Sequence, residues 1–500
     1  MASPQRIIAA ASLLALSALS ASASMFDVRS FGAKGDGSTN DAPAINAAIA
    51  AASAAGGGTV EFGPGSYLSG SIHLMSDVEL HLGPGSTIIA SPDGQAYDAP
   101  EANDWGDKLH YQDFGHSHFH DSLMWGENLT NLSITGTGRI YGKGLARGWE
   151  KEVTPQYVGN KAIALKNCRN VLFRDFTILH GGWFAILATG VDNLVMDAVK
   201  LDTQRDGVDI DCCHNVRVSN CSVNSPWDDG ICLKSSFGLG QFRSTENVTI
   251  TNCLVSGYDE GTLLDGTRKH EDPTNPEPTG RIKFGTESNG GFQAITISNC
   301  VFECCRGLAM ESDDGALVED VTVTNIAMRR IFEAPIFLQI GNRMRGPEGT
   351  PVGKLHHVLI SNIVAEGVER GQGILITGER GHDVEDVTLD NIQMEFAGGE
   401  SADLAKRDVP ELERHYPEPG NFGKTSSWGI FARHAKNLTF RNIVLRVKSD
   451  DGRPAVHMDD VHGAEFEHVK APGAAGFSTR DVDGLVVHAC SGMADTGTGQ

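Results

Sequence analysis

The chain has 500 residues, with 41 Lys and Arg against 64 Asp and Glu and a formal charge of −23 at pH 7. So strong an acidic excess repels polyanions, which excludes nucleic acid and anionic membrane surfaces as partners. Beyond the first 23 residues, no run of roughly 18 apolar residues occurs, so membrane insertion is not expected.

Those first 23 residues read as an export signal. Arg6 supplies the positive end, Ile7 to Leu19 is a short apolar run, and Ala21-Ser22-Ala23 fits a small-residue cleavage site. The expectation is a secreted or periplasmic protein whose residues 24–500 form one domain. Ten cysteines in an exported chain invite disulfides. However, Cys168, Cys221, Cys253 and Cys300 each follow an Asn at the same place in a repeated segment, where free Cys packs as a small hydrophobe. The adjacent pairs Cys212-Cys213 and Cys304-Cys305 do not easily bridge to themselves.

After the leader, FDVRSFGAKGDG predicts a strand and a Gly turn. Asn40 or Asp41 then caps a helix with Pro43 in its first turn, continued by AINAAIAAASAA and stopped at Gly56-Gly57-Gly58. That helix is placed to cover the open end of the strands C-terminal to it.

From residue 59 onward the dominant signal is a degenerate repeat. NLSITGTGRI, NVLFRDFTIL, NLVMDAVKLD, NVRVSNCSV and NVTITNCLV recur, followed by AITISNCVF, DVTVTNIAM, HVLISNIVA, DVTLDNIQM and NLTFRNIVL. The leading Asn falls at 131, 170, 193, 215, 247 and 437, with tightest steps of 23 and 22 residues. Alternating apolar residues mark strands with one inward face. One rung cannot bury that face alone, and stacked rungs bury a continuous core. The prediction is an all-β chain, one long parallel β-helix with an N-terminal capping helix. The corner Asn amides are expected to satisfy turn backbone groups coil upon coil.

Three segments break the repeat, near 97–125, 257–291 and 397–428. Long loops on a solenoid gather on one face and shape its groove. In the first, His116, His118 and His120 alternate, so on a strand they would share a face and a metal site is conceivable. A polar loop is the simpler expectation, and neither metal nor cofactor is predicted.

QRDGVDIDCCHNVRVSNCSVNSPWDDGICLK, residues 204–234, concentrates the chemistry. Asp228 follows Asp206 by 22 residues, one turn of the coil, so the two should stack about one strand spacing, ~4.8 Å, apart. Asp228 and Asp229 are neighbours and reach one cleft only if the chain bends, which Pro226, Trp227 and Gly230 favour. Crowded carboxylates repel, so one holds a proton while another stays ionised. A glycosidase needs that division of labour: an acid for the leaving oxygen and a base for water.

These stretches, together with FGAKGDG…GGGTVEF and GENLTNLSITGTGRIYG, resemble glycoside hydrolase family 28, the polygalacturonases and rhamnogalacturonases, from about Phe26 to Asp460. The resemblance implies a right-handed parallel β-helix. It implies Asp228 as general acid, Asp206 and Asp229 as holders of the water, and inversion at the anomeric carbon. It also implies an acidic plant polysaccharide containing galacturonic acid as substrate. Gln204-Arg205-Asp206-Gly207 stands where the family has Asn-x-Asp-Gly, and the family's Gly-His-Gly motif is absent. Arg281-Ile282-Lys283 matches its Arg-x-Lys pair literally, although the order of rungs puts Ala309 and Glu311 at those places. His270 is the imidazole nearest the missing motif in sequence. The expected site is therefore catalytic Asp206, Asp228 and Asp229 with substrate-binding Arg205, Arg281 and Lys283. Residues 281 and 283 share a strand face and together could grip one carboxylate. Loops from rungs on both sides of the catalytic coil predict a pocket and exo action by a monomer. The competing possibilities are a β-helix polysaccharide lyase, which needs Ca²⁺ and a basic residue, and a carbohydrate-binding β-helix without catalysis.

Overall fold

The computed structural model describes residues 24–103, 105, 111–148, 159–369, 371–471, 476–491 and 495–496. The expected export signal lies outside the described residues. From residue 25 onward the strands stack in parallel, coil upon coil, as a parallel β-helix.

One sheet carries the site. Its strands Lys161–Lys166, Phe184–Thr189, Asp206–Asp211, Ile231–Ser235, Ile282–Ser288, Leu308–Ser312 and Ile336–Ile340 pair successively in parallel. The other walls keep the same order, with Arg169–Arg174, Asp192–Asp197 and His214–Ser219 in one and Thr177–Leu179, Lys200–Asp202 and Ser222–Asn224 in another. Within each rung the period of two decides burial. Val216 and Val218 are fully buried while Arg217 between them is exposed. Repeated over every coil, this makes one continuous apolar core.

The corner asparagines work differently from the expectation. Asn131, Asn170, Asn193, Asn215 and Asn247 all have φ between 53° and 60°, a left-handed conformation that Asn tolerates well. Their amides bond to each other, not to turn backbone. Asn170 Nδ2 donates to Asn131 Oδ1 at 2.8 Å, Asn193 to Asn170 at 2.9 Å and Asn215 to Asn193 at 3.2 Å. The residue thus turns the chain and fixes the register of the next coil. All ten cysteines are free and nine are buried.

The predicted helix runs Ala42–Ala54 and buries Ile45, Ala48, Ile49 and Ala52 over the first coil. Asp41 stands at its start, but its carboxylate accepts from Lys34 N and Gly35 N at 2.7 and 2.9 Å and not from the helix.

Two loop boundaries differ from the sequence expectation. Ile282–Ser288 is a rung of the site sheet, so the second insertion ends just before it. A further loop at 341–353 separates Ile336–Ile340 from Lys354–Val368. Its composition resembles an ordinary turn, and nothing local marks it as a wall of the site.

Candidate active site

Asp206 opens the Asp206–Asp211 strand, and Asp228-Asp229 lie in the turn just before Ile231–Ser235 on the next coil. Val208 pairs with Ile231, a step of 23 residues and not 22, which sets Asp206 opposite Asp229 and not, as the spacing predicted, opposite Asp228, which lies in the adjoining turn. The expected bend is present. Trp227 N donates to Gln204 O at 3.0 Å, and Gly280 N donates to Asp228 O at 2.9 Å. One carboxylate oxygen from each of Asp206, Asp228 and Asp229 lies within 4.8 Å of the others. Gly207 makes the approach of the two coils possible. A Cβ there would sit 2.4 Å from Gly230 O and 2.4 Å from Val223 Cγ1. Gly207→Ala is therefore expected to lower stability by about 1–3 kcal/mol through overpacking, read as a reduced denaturation midpoint. An unchanged midpoint would mean the two coils are not held this close.

The predicted cations converge on these carboxylates. Arg205 donates from Nε and Nη2 to Asp228 Oδ2 at 3.1 and 2.7 Å, and its guanidinium lies 5.3 Å from the Trp183 ring centroid. Arg281 Nε donates to Asp229 Oδ1 at 2.8 Å and its Nη2 to Glu418 Oε1 at 2.8 Å. Lys283 Nζ stands 3.6 Å from Asp229 Oδ2 and 3.3 Å from Glu311 Oε2. Arg281 and Lys283 sit on the coil directly after the Asp pair, while Ala309 and Glu311 lie one coil further on, with Ala309 opposite Lys283. The literal match and the rung-order match are thus different coils of one site. Arg281 enters where the Gly-His-Gly motif would fall.

The environments divide the carboxyls. Burial, then the Asp228 and Asp209 carboxylates, hold Asp206 well above the usual carboxylate range. Burial also opposes ionisation of Asp229, but Lys283 and Arg281 outweigh it and bring its pKa down to about 2. Burial raises Glu311 to about 7 against the pull of Lys283 and Arg281. So the surroundings favour the protonated form of Asp206 and the ionised form of Asp229.

Walls rise from distant loops. Tyr416 and Glu418 reach in from the third insertion, with Tyr416 Oη 3.5 Å from Lys283 Nζ and its ring half exposed. Arg345 of the 341–353 loop pairs with Asp113 of the first insertion at 2.9 Å, and Asn342 N donates to Glu413 O of the third at 2.5 Å. From the second insertion, Glu260 pairs with Arg147 at 3.0 Å, whose carbonyl accepts from Arg205 at 3.2 Å.

The histidines do not group as a strand would group them. Phe114–Ser117 is a short helix, so the alternation of His116, His118 and His120 does not put them on one face. His116 Nε2 bonds Asp209 Oδ2 at 2.9 Å, His118 stacks on Phe114, and His120 stacks on Trp125 and reaches Glu127. His270 packs against Phe332, and its ring nitrogens meet Arg330 and the Asn275 carbonyl, not the three Asp. Sequence reasoning missed Asp209, Tyr416 and Glu418, and it named Glu311 only as the residue standing at one place of the cation pair. Asp209 alone carried a local signal, lying between the core residues Val208 and Ile210 in the richest stretch.

Comparison with known proteins agrees with this architecture. A family model described as "Rhamnogalacturonase A/epimerase, pectate lyase-like" matches residues 25–168, and one described as "Right handed beta helix region" matches 161–327. The chain is 25% identical over 350 residues to a probable polygalacturonase of Vitis vinifera, covering 65% of this chain and 64% of that protein. It thus spans a little under two thirds of that relative's length. It is 23% identical over 397 residues to an exopolygalacturonase of Arabidopsis thaliana, covering 75% of this chain and 82% of that protein. The exopolygalacturonase structure from Thermotoga maritima superposes with a TM-score of 0.64 at 18% identity, covering 85% of this chain and 92% of that one. At that identity the likeness speaks for the fold, a right-handed parallel β-helix.

Proposed function

We propose that the chain is a polygalacturonase-like β-helix glycoside hydrolase of family 28, a secreted or periplasmic, exo-acting hydrolase of α-glycosidic bonds in galacturonic-acid-containing pectic polysaccharide. The supporting observation is the trio Asp206, Asp228 and Asp229, with oxygens within 4.8 Å of one another and the third insertion reaching in beside them through Glu418 on Arg281.

The Asp228 side chain is 22% exposed against 4% for Asp229, so Asp228 faces the leaving oxygen and protonates it. Asp229, held ionised by Arg281 and Lys283, accepts a hydrogen bond from water, with Asp206 on the other side. These oxygens stand closer than the roughly 6.5–9.5 Å usual between carboxyls in inverting enzymes. Inversion is proposed because none of the three carboxyls is placed for covalent attack. Arg281 holds one Asp229 oxygen and Lys283 faces the other, Arg205 grips Asp228, and burial beside other carboxylates disfavours the ionised form of Asp206.

Exo action is supported by the enclosing loops and by the name of the A. thaliana relative. Incubation with long pectin is expected to release single sugars early, raise reducing ends and leave viscosity almost unchanged. A rapid viscosity drop with a ladder of oligomers would rule out the pocket. The lyase alternative would place a divalent cation among the three Asp. Arg281 and Lys283 beside Asp229 oppose a further cation there, so a chelator should leave the rate within about two-fold, well short of the 10²–10⁴-fold loss expected for a missing catalytic group.

A further inference from the structure

The cations of this site are committed to protein carboxylates, Lys234 to Glu287 and Arg343 to Asp314 among them. Arg281 and Lys283 are each 1% exposed, and Asp229 and Glu418 hold the first, Asp229 and Glu311 the second. Arg205 is held by Asp228 in the same way. A uronate carboxylate entering here would have to displace a protein carboxylate from its partner or lie next to it unpaired. Either costs affinity, because like charges at close range repel strongly inside a protein.

What the site leaves unfilled is of the opposite kind. Glu311 Oε1, both Asp313 carboxylate oxygens and Gln339 Oε1 are buried and accept no hydrogen bond. Glu311 stands directly opposite Gln339 on the next coil, and Asp313 comes two residues after Glu311. Met310 and Leu338 point into the core, so Glu311 and Gln339 face outward from the site sheet, beside Lys283 and Thr286. Buried acceptors without donors are costly unless a ligand supplies the donors. Sugar hydroxyls are donors and bring no charge.

We infer that the sugar unit received against Glu311, Asp313 and Gln339 is uncharged, so that the enzyme removes a neutral sugar from a pectic glycan, and that Glu311 sets this choice by neutralising Lys283. The inference rests on the exo-hydrolase proposal and narrows its substrate. Half-exposed Tyr416 closes the same wall, with Lys283 Nζ 5.2 Å from its ring centroid and its hydroxyl accepting from Thr286.

Digestion of pectin followed by anion-exchange analysis of the released monosaccharide tests it. The expected result is a neutral sugar as the main product, with free galacturonate below about one tenth of it. Galacturonate as the main product would overturn the inference while leaving the hydrolase intact. Release of no sugar at all by folded protein would overturn the hydrolase proposal, and this inference with it. Glu311→Gln adds a second readout. With Lys283 less neutralised, inhibition by free D-galacturonate should strengthen about ten-fold. An unchanged galacturonate inhibition constant in folded Glu311→Gln protein would show that Glu311 does not set the choice.

Discussion

Replacing Asp228 with Asn should lower kcat on pectin by ~10²–10⁴ while leaving the fold intact. The change keeps the side chain's size and its place beside Arg205 but removes the carboxyl that faces the cleft. Loss of a general acid leaves substrate binding in place, so KM should move little. Far-ultraviolet circular dichroism and the denaturation midpoint are the controls. Activity within a few-fold of the parent would remove Asp228 from the acid's role.

Asp206→Asn should cost as much activity and yet leave the protein at least as stable at neutral pH. The sign comes from its raised pKa. A carboxyl whose folded-state pKa lies above its unfolded value favours folding when protonated, and that advantage is lost as pH rises from the unfolded value, near 4, through the folded one. At pH 7 the buried Asp206 therefore weighs against folding, and Asn removes that burden. Asp229 has the reverse sign. With its folded pKa at about 2, its stabilising effect is full above the unfolded value and fades as pH falls toward 2. Stability curves of parent and Asp206→Asn should converge at acidic pH and separate toward neutral, with the variant above. A variant that melts well below the parent at pH 7 would contradict the assignment of Asp206 as a carboxyl strained for function. Loss of activity together with gained stability is the signature of a catalytic group and not of a structural one.

Much of this was legible in the chain because a solenoid is locally written. The period-two alternation, the corner Asn and the step of 22 or 23 residues each report one coil, and stacking the coils in order brings Asp206 next to the Asp228-Asp229 turn; which of the two stands opposite it depends on a one-residue register, and the 22-residue step picked Asp228 where the strands pair Asp229. Pro226, Trp227 and Gly230 announce the bend for the same reason. The rest of the site is not local. Tyr416 and Glu418 lie more than 130 residues beyond Lys283 and Arg281, and His116 lies 93 residues before Asp209. Nothing in HYPEPG says which coil it folds over. The commitment of Arg281 and Lys283 to protein carboxylates was equally hidden, since their shared strand face is visible in RIK but the opposing Glu311 and Glu418 are visible only in three dimensions. The histidine alternation carries no grouping because a short helix at Phe114–Ser117 stands where a shared face would need a strand.

The central claim is that water, held at Asp229, cleaves the glycosidic bond. Pectin oligosaccharides digested in heavy-oxygen water and analysed by mass spectrometry test it most directly. The account predicts product pairs whose masses sum to substrate plus one water, with the heavy oxygen on the newly formed reducing end and no unsaturated sugar. Product pairs that sum to the substrate alone, with an unsaturated non-reducing end and no label, would mean elimination and would contradict it.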